Sequence, residues 1–402
     1  MKYGVGEPVQ KGRSTVTNER GSRKDEARMV KPSIKSGLLL AVIAVSVLCT
    51  SFDLYGQENA TLSSVSDGFS KKELQLFTAL QPIDSHTHIY QYNSAYIVLL
   101  EKLHMHTLDI MVVSDNANPE RKNLPKESRD VFEVVRKSGH RIFACTTFDA
   151  YRFNDADFSA KAIADIKHDF DEGAIAVKLW KNVGMEIKDS NGSYILPDDP
   201  RLTPVYRYIA AQHKTLITHI ADPDTAWLPP DSHATDLSYF LSHPEWYMYK
   251  IPGSPSKKQI LAARDHVLAA TPDLKIVGAH LGSMEADISG LAADLDRYPN
   301  FAVDLTARMT YLMKLPRSQA ISFFTKYQDR LIYGTDDTFY PGDNVQHLVS
   351  DAERDYARDW RFLASDADFS YQGIQTQGLG LPEKILYKIY HQNAMHWFPG
   401  LR

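Results

Sequence analysis

The sequence is poor in cysteine and in long apolar runs, and each shortage excludes a class of protein. Only Cys49 and Cys145 occur among 402 residues, which excludes a disulfide-stapled fold and a cysteine-rich zinc module. The apolar run at residues 38–48 has eleven residues, whereas a bilayer-spanning helix needs about 20. No stable membrane span is therefore expected.

Positive charge is also scarce once the first residues are set aside. Residues 1–35 hold nine Lys/Arg, and the rest of the chain carries 36 Lys/Arg against 46 Asp/Glu. Because phosphate backbones are bound through Lys and Arg, nucleic acid is not an expected partner. Hydrophobic residues make up 43% of the chain and charged residues 24%, which excludes a disordered or fibrous protein.

The N-terminus has the pattern of an export signal. The apolar run at residues 38–48 follows Lys31 and Lys35 and has the length of a signal-peptide core. Residues 1–56 are therefore predicted to direct export to the periplasm or out of the cell. The alternative is an amphipathic tail that is not cleaved.

The start and the cleavage site of this segment stay open. Met29 begins a normal-looking signal, so residues 1–28 are interpreted as a mis-called upstream extension. Cleavage is expected after Ser51 or Gly56, although neither site has the usual small-residue pattern. A lipoprotein is not expected, because a bulky leucine precedes Cys49.

The remaining chain alternates apolar segments of strand length with segments of helical period. This alternation is typical of βα units around a parallel sheet. Eight units in about 340 residues predict an α/β protein with a single (β/α)8 TIM barrel over residues 57–402. The predicted strands are Pro82–His88, Leu108–Ser114, Arg141–Asp149, Ala174–Trp180, Thr215–Ala221, Lys275–Leu281, Asn300–Thr306 and Arg330–Asp336.

Three connections are longer than a barrel needs, at residues 184–200, 222–255 and 338–380. All three follow the C-terminal ends of predicted strands, which is the face where barrel enzymes carry their sites. They are interpreted as functional loops, with ordinary edge packing as the alternative. The aromatic second connection contributes Trp227 as a candidate substrate-binding residue.

Histidines recur at the ends of the predicted strands. His86 and His88 end the first strand two positions apart, so both side chains point to the same side. The fifth and sixth strands end in His219 and His280, and the eighth ends in Asp336. Each histidine alone could be a buried core residue. Together they predict a metal site at one mouth of the barrel.

This set of motifs resembles the amidohydrolase superfamily. The resemblance rests on the opening motif with His86 and His88, on the later histidines His219 and His280, and on the Gly-Thr-Asp that ends at Asp336. It extends from Pro82 to Phe398. The sequence is similar in particular to the amidohydrolase-related branch (amidohydrolase 2), which also contains aminocarboxymuconate-semialdehyde decarboxylase-like enzymes.

The resemblance implies a role for each residue. His86, His88 and His219 would bind a metal ion, and Asp336 would be a further ligand that also carries protons. His280 would be a catalytic histidine that polarises the substrate. Such ligands with an open position suit one divalent ion, with Zn²⁺ expected and Mn²⁺ or Fe²⁺ as alternatives. Water on such an ion ionises near neutral pH, and Asp336 could accept its proton.

Lys178 is predicted to point into the barrel, because the apolar residues Ile175, Val177 and Leu179 alternate with it on the fourth strand. A buried lysine needs a partner. In binuclear members of the superfamily a carboxylated lysine on this strand bridges two metals. Contact with the substrate or the ligand network, and a purely structural ion pair, are the alternatives.

Two further charged residues have alternative interpretations. By the same alternation, Asp304 and Arg308 on the seventh strand face inward. Arg308 could hold a substrate carboxylate, or it could pair with Asp304. Asp84 could orient a metal-binding histidine, or it could be a solvated turn residue.

The expected function is hydrolysis of a small ester, lactone or amide by metal-activated water. A non-oxidative decarboxylase that uses the same site is the alternative, and a non-catalytic binding barrel is a third hypothesis. Arg308 favours a small-molecule substrate that carries a carboxylate. The sequence leaves open the substrate, the metal, the number of ions and the oligomeric state, for which a homo-oligomer is one alternative.

Overall fold

The computed structural model describes residues 68–114, 123–231 and 233–402. The predicted signal segment, residues 1–56, lies outside these ranges. Within them, no helix has both the length and the apolar character needed to cross a bilayer.

A parallel sheet of nine short strands forms the centre of the molecule. Its spatial order is β8-β7-β6-β5-β4-β3-β2-β1-β9, so sequential strands are neighbours. The strands are β1 Ile83–Ile89, β2 His106–Ile110, β3 Ile142–Thr146, β4 Ala176–Leu179, β5 Thr215–Thr218, β6 Lys275–Gly278, β7 Phe301–Asp304, β8 Leu331–Ile332 and β9 Asp337–Phe339.

Strands β8 and β9 are two parts of the eighth barrel strand, and together they close the sheet. β8 pairs with β7, and β9 pairs with β1. Between them, the Tyr333 carbonyl accepts from the Ser85 N–H at 3.0 Å, and the Asp336 N–H donates to the His86 carbonyl at 2.8 Å. The predicted (β/α)8 barrel is confirmed. The interruption places Asp336 at a positive φ of 75°, where its side chain leaves the strand.

Helices surround the sheet and follow the strands in sequence. Several begin where the sequence offers a cap, as at Ser256, whose hydroxyl accepts from the Gln259 N–H while the Gln259 side-chain oxygen accepts from the Ser256 N–H. The helices are α1 Lys71–Ala79, α2 Ser94–Leu103, α3 Leu124–Lys137, α4 Phe158–Glu172, α5 Asn182–Met185, α6 Thr203–Ala211, α7 Leu237–Ser242, α8 Lys257–Ala270, α9 Ala279–Gly282, α10 Ile288–Arg297, α11 Met309–Met313, α12 Arg317–Lys326, α13 Val345–Ala364, α14 Glu383–Tyr387 and α15 Asn393–Trp397.

The third long connection, residues 338–380, contains a helix and a hairpin as well as loops. It includes α13, which has twenty residues, and a two-stranded antiparallel hairpin of β10 Asp368–Tyr371 and β11 Ile374–Gln377. α13 buries Tyr356 and Trp360 against the barrel. Its buried residues Ala352, Tyr356, Trp360 and Leu363 recur with helical spacing opposite a charged face, so the sequence itself indicates this helix, although the segment is interpreted as a loop.

Two apolar layers hold the barrel together. Inside the sheet, small and β-branched residues from successive strands pack on each other, and Trp397 and Phe398 pack beneath them. Outside it, Val177 and Leu179 pack toward the helices, as the alternation on the fourth strand predicts, whereas Ile175, predicted on the same face, packs with the inner cluster just before the strand begins. Burying each such aliphatic side chain stabilises the fold by about 1.5–3 kcal/mol.

Gly334 stands where the eighth strand passes closest to its neighbours. A Cβ at this position would lie 2.5 Å from Thr306 Cγ2 and 3.2 Å from His86 Cβ. Gly334→Ala is therefore expected to lower the free energy of unfolding by about 1–3 kcal/mol, measured by urea unfolding. Gly68→Ala, which meets only the flexible Glu353 carboxylate, is the matched control. Equal midpoints for the two variants would contradict this close packing.

Candidate functional site

His86, His88 and Asp336 meet where the first and eighth strands end. Asp336 Oδ1 lies 3.4 Å from Nε2 of His86 and 3.4 Å from Nε2 of His88. Both histidines are buried, whereas 31% of the Asp336 side chain remains exposed. The carboxylate therefore faces the cavity above the barrel while the imidazoles lie beneath it.

In three of the four histidines, Nδ1 lies within hydrogen-bond distance of a neighbouring acceptor oxygen. His86 Nδ1 lies 2.9 Å from Asp304 Oδ2, and His88 Nδ1 lies 2.7 Å from the Ile110 carbonyl. His280 Nδ1 lies 3.1 Å from the Thr306 carbonyl. Because these oxygens can only accept, each Nδ1 carries the proton. The Nε2 lone pairs of His88 and His280 are thus left for a metal ion, whereas that of His86 faces the Lys178 ammonium group at 3.0 Å.

His219 has the opposite arrangement. Its Nε2 lies 3.2 Å from Asp222 Oδ1, so Nδ1 is the nitrogen left with a lone pair. Its ring lies 4.3 Å from that of His280, centroid to centroid. Burial, together with the charges of Lys181 and Lys178, lowers the pKa of His219 well below its usual value. The imidazole is therefore neutral, as a metal ligand must be.

The turn that carries His280 is left-handed. Residues 280–283 all have φ between +57° and +63°, although only one of them is glycine. Each non-glycine residue costs about 1–2 kcal/mol in this region. The turn is held at both ends, because the His280 N–H donates to Asp304 Oδ1 at 2.7 Å and Ser283 Oγ accepts from the Ala221 N–H.

Asp304 connects the sixth, seventh and first strands beneath the site. Oδ2 accepts from His86, and Oδ1 accepts from the backbone N–H groups of His280 and Thr306 and from the Thr306 hydroxyl. Burial alone would raise the pKa of Asp304, but His86 and these hydrogen bonds lower it to about 2. The sequence placed Asp304 on the inner face without identifying its contact with a metal-binding histidine.

Asp84 is fully buried, so the interpretation as a solvated turn residue is wrong. Its carboxyl accepts from the His86 N–H and from the Thr335 N–H, at 3.1 Å each, and from the Tyr356 hydroxyl at 3.0 Å. Burial raises the pKa of Asp84 to about 7. It contacts the backbone of His86 and of Thr335, so it positions His86 through the main chain.

Lys178 points into the barrel and contacts the histidine group. Its Nζ lies 3.0 Å from His86 Nε2, and burial lowers its pKa to about 8. This contact agrees with the alternative that places Lys178 in the ligand network. Bridging of two metals remains a prediction.

Arg308 is buried at the start of α11, but it does not pair with Asp304. Its Nη1 donates to the Ala307 carbonyl, and its Nε lies 4.0 Å from Glu285 Oε2. This distance is too long for a hydrogen bond, and both atoms lack a partner within the described part of the chain. The predicted Arg308–Asp304 pair is wrong, because His86 and the left-handed turn occupy that carboxylate.

A cavity of about 230 Å³ opens above these residues. Its lining includes His88, His219 and Asp336, and several aromatic side chains form its walls. Those walls are formed by Tyr90, Trp180, Tyr239, Trp246 and Tyr340. Trp227 is not among the lining residues, and its indole N–H donates to the Pro255 carbonyl at 2.8 Å.

The donor set fits a divalent metal ion. Ligand atoms of His86, His280 and Asp336 lie within 4.8 Å of one another, which brings two nitrogens and one oxygen together. Such mixed nitrogen and oxygen sites suit Zn²⁺, Mn²⁺ or Fe²⁺. His280 fits this group by its Nε2 lone pair, which can accept a proton or bind a metal but cannot donate to an oxyanion.

Comparison with known proteins bears on this assignment. The family model described as Amidohydrolase matches residues 83–400. No curated protein matches the sequence.

Three solved structures similar to this chain come from different bacteria. An uncharacterized TIM-barrel protein from Bordetella bronchiseptica is 16% identical, with a TM-score of 0.45, over 80% of this chain and 99% of that one. A dihydroxybenzoic acid decarboxylase from Polaromonas, with bound manganese and 2-nitroresorcinol, is 13% identical, with a TM-score of 0.46, over 79% of this chain and 98% of that one. A dihydroorotase from Campylobacter jejuni is 13% identical, with a TM-score of 0.41, over 78% of this chain and 82% of that one. Likeness at this level assigns neither a substrate nor a reaction.

Proposed function

Because the chain belongs to the amidohydrolase family, we propose that it is a metal-dependent hydrolase that cleaves a small ester, lactone or amide. The observation that carries the proposal is the convergence of His86, His280 and Asp336 beneath a cavity of about 230 Å³. A cavity of this size suits a small molecule. The proposed ion is one Zn²⁺, with Mn²⁺ or Fe²⁺ as alternatives, and the proposed place of action is outside the cytoplasm.

A bound divalent ion would polarise the substrate carbonyl and lower the pKa of a water molecule. Asp336 is the group that can accept the proton of that water. Its Oδ1 lies 3.4 Å from Nε2 of His86 and of His88, and 31% of the side chain is exposed, so the carboxylate can be reached from the cavity. Asp336 then returns the proton to the leaving alcohol or amine.

The neighbouring side chains keep this geometry. Asp304 and the Ile110 carbonyl fix the rings of His86 and His88, so neither imidazole needs to reorient when substrate enters. The aromatic walls displace water from the cavity, which strengthens electrostatic contacts at the carbonyl.

Hydrolysis is tested with a panel of small esters, lactones and amides, with and without a chelator. We expect at least one compound class to be hydrolysed, and we expect about one equivalent of added Zn²⁺ to restore activity lost to the chelator. Hydrolysis that persists at full rate after complete removal of metal would contradict the proposal.

Arg308 supports a second candidate function, non-oxidative decarboxylation. Its buried Nε lacks a hydrogen-bond partner within the described ranges, and an incoming carboxylate would supply one. Release of CO2 from a panel of aromatic and aliphatic carboxylates distinguishes the two reactions. CO2 release without any hydrolysis would replace the first proposal by the second.

A further inference from the structure

Lys181 and Asp222 form a buried ion pair beside His219. Lys181 follows β4 and Asp222 follows β5, so neighbouring strand ends bring them together. Lys181 Nζ lies 2.9 and 2.7 Å from the two oxygens of Asp222, and each side chain is only 4% exposed. A buried pair of this kind is costly to desolvate, so stability alone does not explain it.

The pair determines which nitrogen of His219 carries a proton. Asp222 Oδ1 lies 3.2 Å from His219 Nε2, and an ionised carboxylate can only accept. Both oxygens of Asp222 accept from Lys181 Nζ, which leaves the carboxylate as an acceptor toward His219. His219 therefore holds its proton on Nε2 and presents the Nδ1 lone pair.

Lys181 also connects this pair to the cavity wall. Its Nζ donates to the Tyr239 hydroxyl at 3.0 Å, and it lies 4.4 Å from the centre of the Trp246 ring. Tyr239 belongs to α7, and both aromatic residues line the cavity. One ammonium group thus contacts both the wall of the cavity and the carboxylate that orients His219.

We propose that Lys181 and Asp222 are positioning residues that set the tautomer and orientation of His219 for metal binding. This inference rests on the proposed function, because it takes the metal to lie among the strand-end histidines. It assigns neither residue a direct contact with the substrate. The wall formed by Tyr239 and Trp246 is tied to His219 through the same ammonium group.

The experiment measures metal affinity and the tautomer of His219 in the full chain. Zn²⁺ affinity is obtained by competition with a chelating dye, and the tautomer by ¹⁵N chemical shifts after histidine labelling, with His219→Gln for assignment. Asp222→Asn is expected to weaken Zn²⁺ binding about 10- to 100-fold. Asp224→Asn, which alters a half-exposed carboxylate paired with Lys257, is the matched control and should bind as wild type does.

Lys181→Met provides a second test, because it leaves Asp222 in place and removes only the ammonium group. It should also weaken Zn²⁺ binding, and Lys181→Arg should restore much of the loss. Asp222→Asn that binds Zn²⁺ as tightly as wild type, or a wild-type His219 with its proton on Nδ1, would overturn the inference. If the Asp222 and Lys181 variants and the His219 tautomer contradicted the inference while Asp336→Asn still lost metal binding, the proposed hydrolase function would stand.

The reverse failure can also be recognised. Wild-type protein that binds no Zn²⁺, Mn²⁺ or Fe²⁺ would overturn both the proposed function and the inference of a role in metal binding. The tautomer measurement on the metal-free protein remains decisive for the contact itself if a variant fails to fold.

Discussion

Asp336→Asn is expected to lower kcat/KM for the hydrolysed substrate by about 10²- to 10⁴-fold. The amide cannot take a proton from water, and it offers a neutral oxygen where the carboxylate faces His86 and His88 at 3.4 Å. Metal content per chain should fall together with activity. Both are measured on protein purified without a chelator, by steady-state kinetics and elemental analysis.

Asp343→Asn is the matched control for this variant. Asp343 lies on the same connection, and its carboxylate accepts only from the Tyr340 N–H at 2.9 Å among the described contacts. It should leave kcat/KM within about twofold of wild type. Asp336→Asn with nearly wild-type kcat/KM and metal content would remove Asp336 from the chemistry.

Asp304→Ala is expected to lower the free energy of unfolding by about 3–5 kcal/mol, because it removes the acceptor of several buried donors and each unsatisfied buried donor costs about 1–3 kcal/mol. The change leaves the Nδ1–H of His86 and the N–H groups of His280 and Thr306 without their acceptor. The left-handed turn loses one of its two anchors at the same time. The urea midpoint and slope measure the effect on metal-free protein.

Asp296→Ala serves as the comparison for this loss of stability. Asp296 accepts from Lys326, but both side chains are more than half exposed, so little change in the midpoint is expected. An Asp304→Ala protein as stable as the Asp296→Ala protein would show that the buried network does not support the barrel.

The barrel and the inward-facing histidines could be predicted because both depend on local sequence. A parallel strand buried on two faces is a continuous apolar run, and the residue that interrupts it near its end marks the mouth of the barrel. His86, His88 and Lys178 were identified in this way, and the structure brings them together. The same reasoning located Asp336.

Contacts between loops were not predictable in the same way. Asp222 follows His219 by three residues and Lys181 follows the fourth strand, but nothing local shows that the two loops meet. Arg308 illustrates the same limit. Strand alternation placed it beside Asp304, whereas the positive φ of Ala307 turns the chain and directs it toward Glu285.

The first and last strands of the barrel meet through the side chains of the candidate metal site. His86 and His88 belong to the first strand and Asp336 to the last, and about 250 residues separate them along the chain, so their contact closes a very long loop. A metal ion held by these residues would cross-link the two ends of the sheet. Its binding free energy would then add to the closure of the barrel, so metal supply and resistance to unfolding would be thermodynamically coupled.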